Sequence, residues 1–341
     1  MDTPVASRFI ARSVTPLALF ASAFLLIQQP SVAADAGPAA PATPPAAAPA
    51  AAPRGGAPAG PLTFTPSVPA PVPAAVAIPR PTTQEVEQLN ASLARMTAQA
   101  DPATKALLAK YPDVIAVRPP RANPVVIPSL SAGFRTKHNN NLEVAKQGDV
   151  DLLFMGDSIT DFWRNTGAPG VVNPPTAGKV VFDKYFGSMK VANFGISGDT
   201  TQGVLYRLLD GEGRGFQPKA IMLMIGTNNS AAASSAEIAE GVGAIVMEMR
   251  KDFPAAKILL LAIFPRGDPG SVARKTVLDV NPIIAKLADS RNVFYLDIGA
   301  KFLDAEGNLP ADIMPDKLHP TEKGYEIWAQ AVIEPLKNLL K

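Results

Sequence analysis

The sequence predicts an α/β protein: a three-layer α/β/α domain of flavodoxin size built round a five-stranded parallel sheet. Three observations carry this expectation. Apolar runs at 150–155, 190–194, 220–225, 257–263 and 293–296 lack the polar alternation of a half-solvated strand, as expected of strands covered on both faces. Helical stretches at 200–209, 234–252, 272–289 and 322–340 separate or follow them, so repeated β-α-β units with right-handed crossovers build the sheet. Ser158, Gly198, Asn228 and Arg266 each follow a different apolar run, where open α/β sheets place their ligand crevice.

The segments before this domain read differently. Arg8 and Arg12 precede an uncharged apolar stretch, 17–27, and Ser31-Val32-Ala33 then supplies small residues for cleavage, so residues 1–33 read as a secretory signal cut near Ala33. The apolar stretch is about half of the roughly 20 residues a spanning helix needs, which makes an uncleaved anchor the weaker reading and an extracytoplasmic location the expected one. Residues 34–81 are alanine, proline and glycine with almost no charge, the composition of a disordered, partly extended tether. Residues 82–128 read as a helical extension: Val86, Leu89, Leu93 and Met96 form one helical stripe, and Asp101 caps a second helix with Pro102 in its first turn. Packing of that stripe on the α/β domain is favoured over a coiled-coil seam, because two turns of heptad are too few. The domain itself spans 129–341.

Bulk charge narrows the partners. With 32 basic and 30 acidic side chains the net charge is +2, and no basic stripe is present to neutralise phosphates, which excludes nucleic acid as an expected partner. The chain has no cysteine and only two histidines, His138 and His319, so neither a disulfide framework nor a Cys/His zinc site is expected.

Gly156-Asp157-Ser158-Ile159-Thr160 stands where the first apolar run stops, and the only histidine downstream is His319, three residues after Asp316. A serine becomes a nucleophile through a neighbouring base, and a histidine needs a carboxylate to fix its tautomer and balance its charge. Pro315 and Pro320 bracket a stiff loop in which Asp316 can reach one ring nitrogen while the other faces the serine. Asp297, at the end of the last strand, is the rival acid. His138 lies in a polar, Asn-rich segment upstream of the first strand and is given no catalytic part. The amide of Ser158 at a strand-to-helix junction, Gly198 just before a helix that Asp199 could cap, and the side-chain amide of Asn228 are the candidate donors to an oxyanion. Taken singly, each also has an ordinary structural reading: a helix cap for Ser158, a tight turn for Gly198, a turn-forming amide for Asn228.

Together these residues resemble the four blocks of the SGNH (GDSL-like) hydrolases over roughly 135–340. Gly156-Asp157-Ser158-Ile159 is similar to the first block and Asn193-Phe194-Gly195-Ile196-Ser197-Gly198-Asp199-Thr200 to the glycine block. Gly226-Thr227-Asn228-Asn229 is similar to the asparagine block and Asp316-Lys317-Leu318-His319 to the last. Leu205-Tyr206-Arg207-Leu208 and Phe264-Pro265-Arg266-Gly267 add a likeness to the catalytic subunits of intracellular platelet-activating-factor acetylhydrolases, which often carry a second glycine where Ser197 stands. The resemblance implies the SGNH hydrolase fold, with Ser158 as nucleophile, His319 as base and then acid, and Asp316 as its orienting carboxylate. It implies Ser158 N–H, Gly198 N–H and Asn228 as the oxyanion hole.

The expected protein is therefore an exported serine esterase that removes a short acyl group, acetyl above all, from a carbohydrate or lipid ester, with no metal or organic cofactor. Two other classes compete with it: an inactive SGNH-fold module that binds glycans, and a wall-associated structural protein in which the amino-terminal third dominates.

Overall fold

The computed structural model describes residues 64–164 and 178–341. The expected signal, residues 1–33, and the first part of the expected tether, 34–63, lie outside the described residues. Five strands, β1 (Leu152–Gly156), β2 (Val191–Asn193), β3 (Ala220–Met224), β4 (Lys257–Leu261) and β5 (Val293–Leu296), form one sheet in the order β2-β1-β3-β4-β5. Every pairing is parallel, with Phe154 opposite Asn193 and Gly156 opposite Met224. The helices in chain order are α1 (Thr83–Gln99), α2 (Pro102–Lys110), α3 (Arg135–Gln147), α4 (Ser158–Asp161) and α5 (Gly178–Phe186), followed by α6 (Thr201–Arg207), α7 (Ser235–Asp252), α8 (Val272–Ile284) and α9 (Glu322–Leu339).

Period-two geometry sorts the strand side chains into the two layers of the core. Leu153, Met155, Ile221, Leu223, Ile258 and Leu260 face one way and are covered by α6, α7 and α8 through Val204, Val242, Ile245 and Val280. Leu152, Phe154, Met222, Met224, Leu259 and Leu261 face the other way, towards α5 and α9. Trp163 centres that second layer, edge-on to Phe186 and within 4.9 Å of the Trp328 ring. The strand order reverses between β1 and β3, where the ends of adjacent strands diverge and leave a crevice.

Two helices escaped the sequence reading. Helix α3 buries His138, Asn141 and Ala145, so its inward face is mostly polar and leaves no apolar period. Helix α5 is nine residues long and, apart from Gly178, buries only Val181 and Phe186, too few positions for a pattern.

The end of the stretch expected to be tether is packed on the domain. Ala70 donates to the Val126 carbonyl at 2.8 Å, and Val76 is buried against α7 at Gly243, where a Cβ would stand 2.5 Å from Val76 Cγ2. Glu240, on the same helix, has a side chain only 1 % exposed and accepts from Ile78 N–H, both Arg80 Nη groups at 2.6 and 2.7 Å, and Asn123 Nδ2. Composition misjudged this segment because one valine and one arginine anchor it, and neither shifts an average dominated by alanine and proline. Replacing Glu240 by alanine removes the acceptor of four hydrogen bonds; because Arg80 keeps 31 % exposure and Asn123 Nδ2 also donates to the Glu237 carbonyl, the expected loss is roughly 2–3 kcal/mol in urea unfolding, below that of a fully buried pair. Protease sensitivity of the 68–81 segment is expected to rise with it.

Helix α1 forms with the Thr82–Glu85 capping box. Its apolar stripe is not packed on the domain as expected: only Val86 is buried, while Leu89 and Met96 are 47 % and 67 % exposed.

Candidate active site

The site is assembled where β1 and β3 end. At Gly156 a Cβ would lie 2.4 Å from the Met224 carbonyl oxygen and 2.3 Å from Thr160 Oγ1, so only glycine lets β1 finish against β3 and turn at once into α4. Asp157 caps that helix, its Oδ1 accepting from Ile159 N–H, and Ser158 occupies the first helical position, where a backbone N–H has no partner within its own helix.

Ser158 Oγ lies 2.8 Å from His319 Nε2, and His319 Nδ1 lies 2.6 Å from Asp316 Oδ2. The three side chains, 161 residues apart at their extremes, form one continuous chain of hydrogen bonds. The last loop is shaped for this: Lys317 sits at φ 58°, and Asp316 Oδ1 accepts from the Leu318 and His319 N–H groups, closing the turn. Burial pushes the Asp316 carboxyl up, but the hydrogen bonds from the His319 backbone and ring prevail and hold it below the usual range. An ionised carboxylate only accepts, so Nδ1 carries the ring proton and Nε2 is left bare to accept from the serine hydroxyl. The rival Asp297 is engaged elsewhere, accepting from Gly299 N–H at 2.8 Å. The Phe162 ring packs 4.9 Å from the imidazole, and Lys317 pairs with Asp268 while its carbonyl accepts from Gly267 N–H, joining this loop to the one after β4.

Gly198 adopts φ 85°, a left-handed conformation, with the Phe134 ring 3.4 Å from where a Cβ would stand. Asn228 Nδ2 donates to the Asp199 carbonyl at 2.8 Å, which uses one amide hydrogen and orients the other. Arg266 donates to the Thr227 carbonyl at 2.8 Å and so braces the Asn228 loop from β4. All the residues singled out after the strands thus converge on one rim.

The role expected of Asp199 changes. It does not cap α6, whose N-cap is Thr200; its carboxylate is fully buried and pairs with Arg207 at 2.9 Å. Arg207 also pairs with Glu212, which accepts from Asn141 and bonds His138 Nδ1 at 2.8 Å, while His138 Nε2 bonds Asp210 at 3.0 Å. His138, read as part of a polar, Asn-rich segment upstream of the first strand, is wholly buried as part of this network. Only the Leu205–Leu208 likeness pointed to Arg207; nothing local marks Glu212 or His138, since their pairing is long-range.

Asp157 is 1 % exposed, and its Oδ2 is buried without a hydrogen-bond partner among the described residues. Burial pushes its carboxyl up to about 7, with the Asp199 charge adding to the shift and Arg266 opposing it. The unfolded chain releases this proton near 3.8 and the folded chain holds it to about 7, so Asp157 costs stability progressively as pH rises across that window. Asp157→Asn, which keeps the cap acceptor, is expected to gain on the wild type by on the order of a few kcal/mol between pH 5 and pH 8. Urea unfolding of both proteins at the two pH values measures it; an unchanged gap would mean that Asp157 does not titrate there.

Among the described residues no cluster of three or more His, Asp or Glu is placed to hold a metal ion, and no helix is long and apolar enough to cross a membrane. The arrangement is competent for proton transfer from a hydroxyl to an imidazole beside a set of amide donors.

Residues 154–327 match the GDSL-like Lipase/Acylhydrolase family. Platelet-activating factor acetylhydrolase IB subunit alpha2 of Rattus norvegicus is 31% identical over 227 residues, covering 64% of this chain and 93% of that protein. The Homo sapiens subunit is 30% identical with the same coverage. Among solved structures, a GDSL-like lipase from Bacteroides thetaiotaomicron is 18% identical, with a TM-score of 0.46 over 61% of this chain and 98% of that one.

Proposed function

Since this chain belongs to the GDSL-like lipase/acylhydrolase family and is an ester hydrolase, we propose that it is exported and cleaves short acyl esters, acetyl above all, through an acyl-enzyme on Ser158. The observation that carries the reading is the unbroken line from Asp316 through His319 to Ser158 Oγ. In the proposed reaction His319 Nε2 takes the hydroxyl proton as Oγ attacks the ester carbonyl. Asp316 balances the imidazolium, and the N–H groups of Ser158 and Gly198 with the Asn228 amide receive the oxyanion. The tetrahedral species collapses as His319 returns the proton to the leaving alcohol. Water, deprotonated by the same imidazole, then releases the acid and restores Ser158. No resident cofactor takes part.

The acetyl preference is supported by relatives that are named acetylhydrolases, and export by the charged-then-apolar pattern before Ala33. A carbohydrate or lipid ester is the proposed natural substrate; acetate release from acetylated xylan, cell-wall material and a short-chain phospholipid separates the classes. A fluorophosphonate probe tests the mechanism itself. Labelling confined to a peptide containing Ser158, together with hydrolysis of p-nitrophenyl acetate, is the expected result, whereas an unlabelled protein that retains glycan affinity would be a binding module.

A further inference from the structure

We propose that Asp161 is a positioning residue that, by gripping Ser197, holds the Gly198 N–H in register with Ser158; this rests on the acyl-enzyme mechanism above. Asp161 is the last residue of α4, one turn after Ser158, with its N–H donating to the Asp157 carbonyl at 2.8 Å. Its side chain is 7 % exposed and saturated with donors. Oδ2 accepts from Ser197 N–H at 3.1 Å, from Ser197 Oγ at 2.6 Å and from Lys137, while Oδ1 accepts from Arg164 at 2.6 Å. Arg164 reaches on to the carbonyls of Asn193 and Gly195, at 2.9 and 2.7 Å, and Asn193 Nδ2 donates to the Thr160 carbonyl.

These bonds fasten the loop after β2 to the nucleophile's own helical turn. The approach is close: a Cβ on Gly195 would stand 2.4 Å from Asp161 N. The peptide plane that bears the Gly198 N–H begins at the Ser197 carbonyl carbon, and Gly198, at φ 85°, is free to swivel unless its neighbour is fixed. Ser197 supplies two donors to that fixation where a glycine would supply one. Lys137 and Arg164 offset the carboxylate charge, so the grip adds little negative potential opposing an oxyanion.

Oxyanion donors act only when aimed before the charge develops, and a misplacement of about 1 Å can cost about 10²-fold. Asp161→Ala, which removes the acceptor that an amide oxygen would keep, is therefore expected to lower kcat for p-nitrophenyl acetate by about 10- to 100-fold with KM nearly unchanged. Ser197→Gly, which leaves the salt bridges intact, is expected to lower it less and in the same sense. The matching thionoester is the discriminating substrate, because sulfur accepts hydrogen bonds poorly and draws less from the donors; its rate is expected to fall by a smaller factor. Equal losses on both esters, or a kcat within about twofold of wild type in a folded Asp161→Ala protein, would overturn the assignment. Should that variant not fold, Ser197→Gly decides by the same ratio. Wild-type protein that the fluorophosphonate probe does not label would sink the mechanism itself, whereas labelled wild type beside unaffected variants sinks the grip alone.

Discussion

Ser158→Ala is expected to lower turnover of p-nitrophenyl acetate by about 10⁴- to 10⁶-fold, the largest effect of any single change, because among the described residues no other hydroxyl bonds His319 Nε2 as Ser158 Oγ does. The fold should survive it: Ser158 lies at the first helical position, and removing one hydroxyl there leaves the Asp157 cap and the Gly156 turn in place. Serine and histidine act as a unit, so Ser158→Ala combined with His319→Ala is expected to be hardly slower than either alone. Steady-state rates on the three proteins check both statements. A single variant that keeps more than about a tenth of wild-type turnover would remove Ser158 as nucleophile.

Asp316→Asn should follow with a loss of about 10⁴-fold, by a different route. The carboxylate now accepts from Nδ1 and forces the proton onto that nitrogen. An amide placed there offers N–H instead, which favours the tautomer with Nδ1 bare and Nε2 protonated, and a protonated Nε2 cannot accept from Ser158. The loop should hold, since the amide oxygen can still take the Leu318 and His319 N–H groups. A large fall in kcat with an unchanged thermal midpoint is the expected signature; a parallel loss of both would reassign Asp316 to loop stability. Partial exposure of the Asp316 side chain, 31 %, gives water some access to the ring and could only soften the effect.

Much of this site was legible because its signals are either local or scarce. Apolar runs without alternation marked all five strands, since a strand covered on both faces has no polar side. The assignment of His319 was one of elimination between two histidines, and the three-residue spacing to Asp316 made its partner visible within a single turn. What escaped was of another kind. The His138–Glu212–Arg207–Asp199 network joins residues from α3, α6 and the turns beside it, and each looks like an ordinary surface polar residue until folding buries it. The docking of Val76 and Arg80 on α7 was hidden for the same reason: anchors contribute through position, whereas a tether is recognised by average composition.

The sequence alone determined the parallel sheet, the rim on which the polar loops converge and the residues with the chemistry to attack an ester, because backbone periodicity and residue type are properties of neighbours along the chain. Only the tertiary structure decided that Asp297 is engaged away from His319, that Asn228 is oriented by the Asp199 carbonyl, and that Asp161 ties the glycine loop to the helical turn of Ser158. Those choices turn on ångström-scale distances between segments far apart in sequence, and a hydrogen bond forms or fails over less than one such ångström.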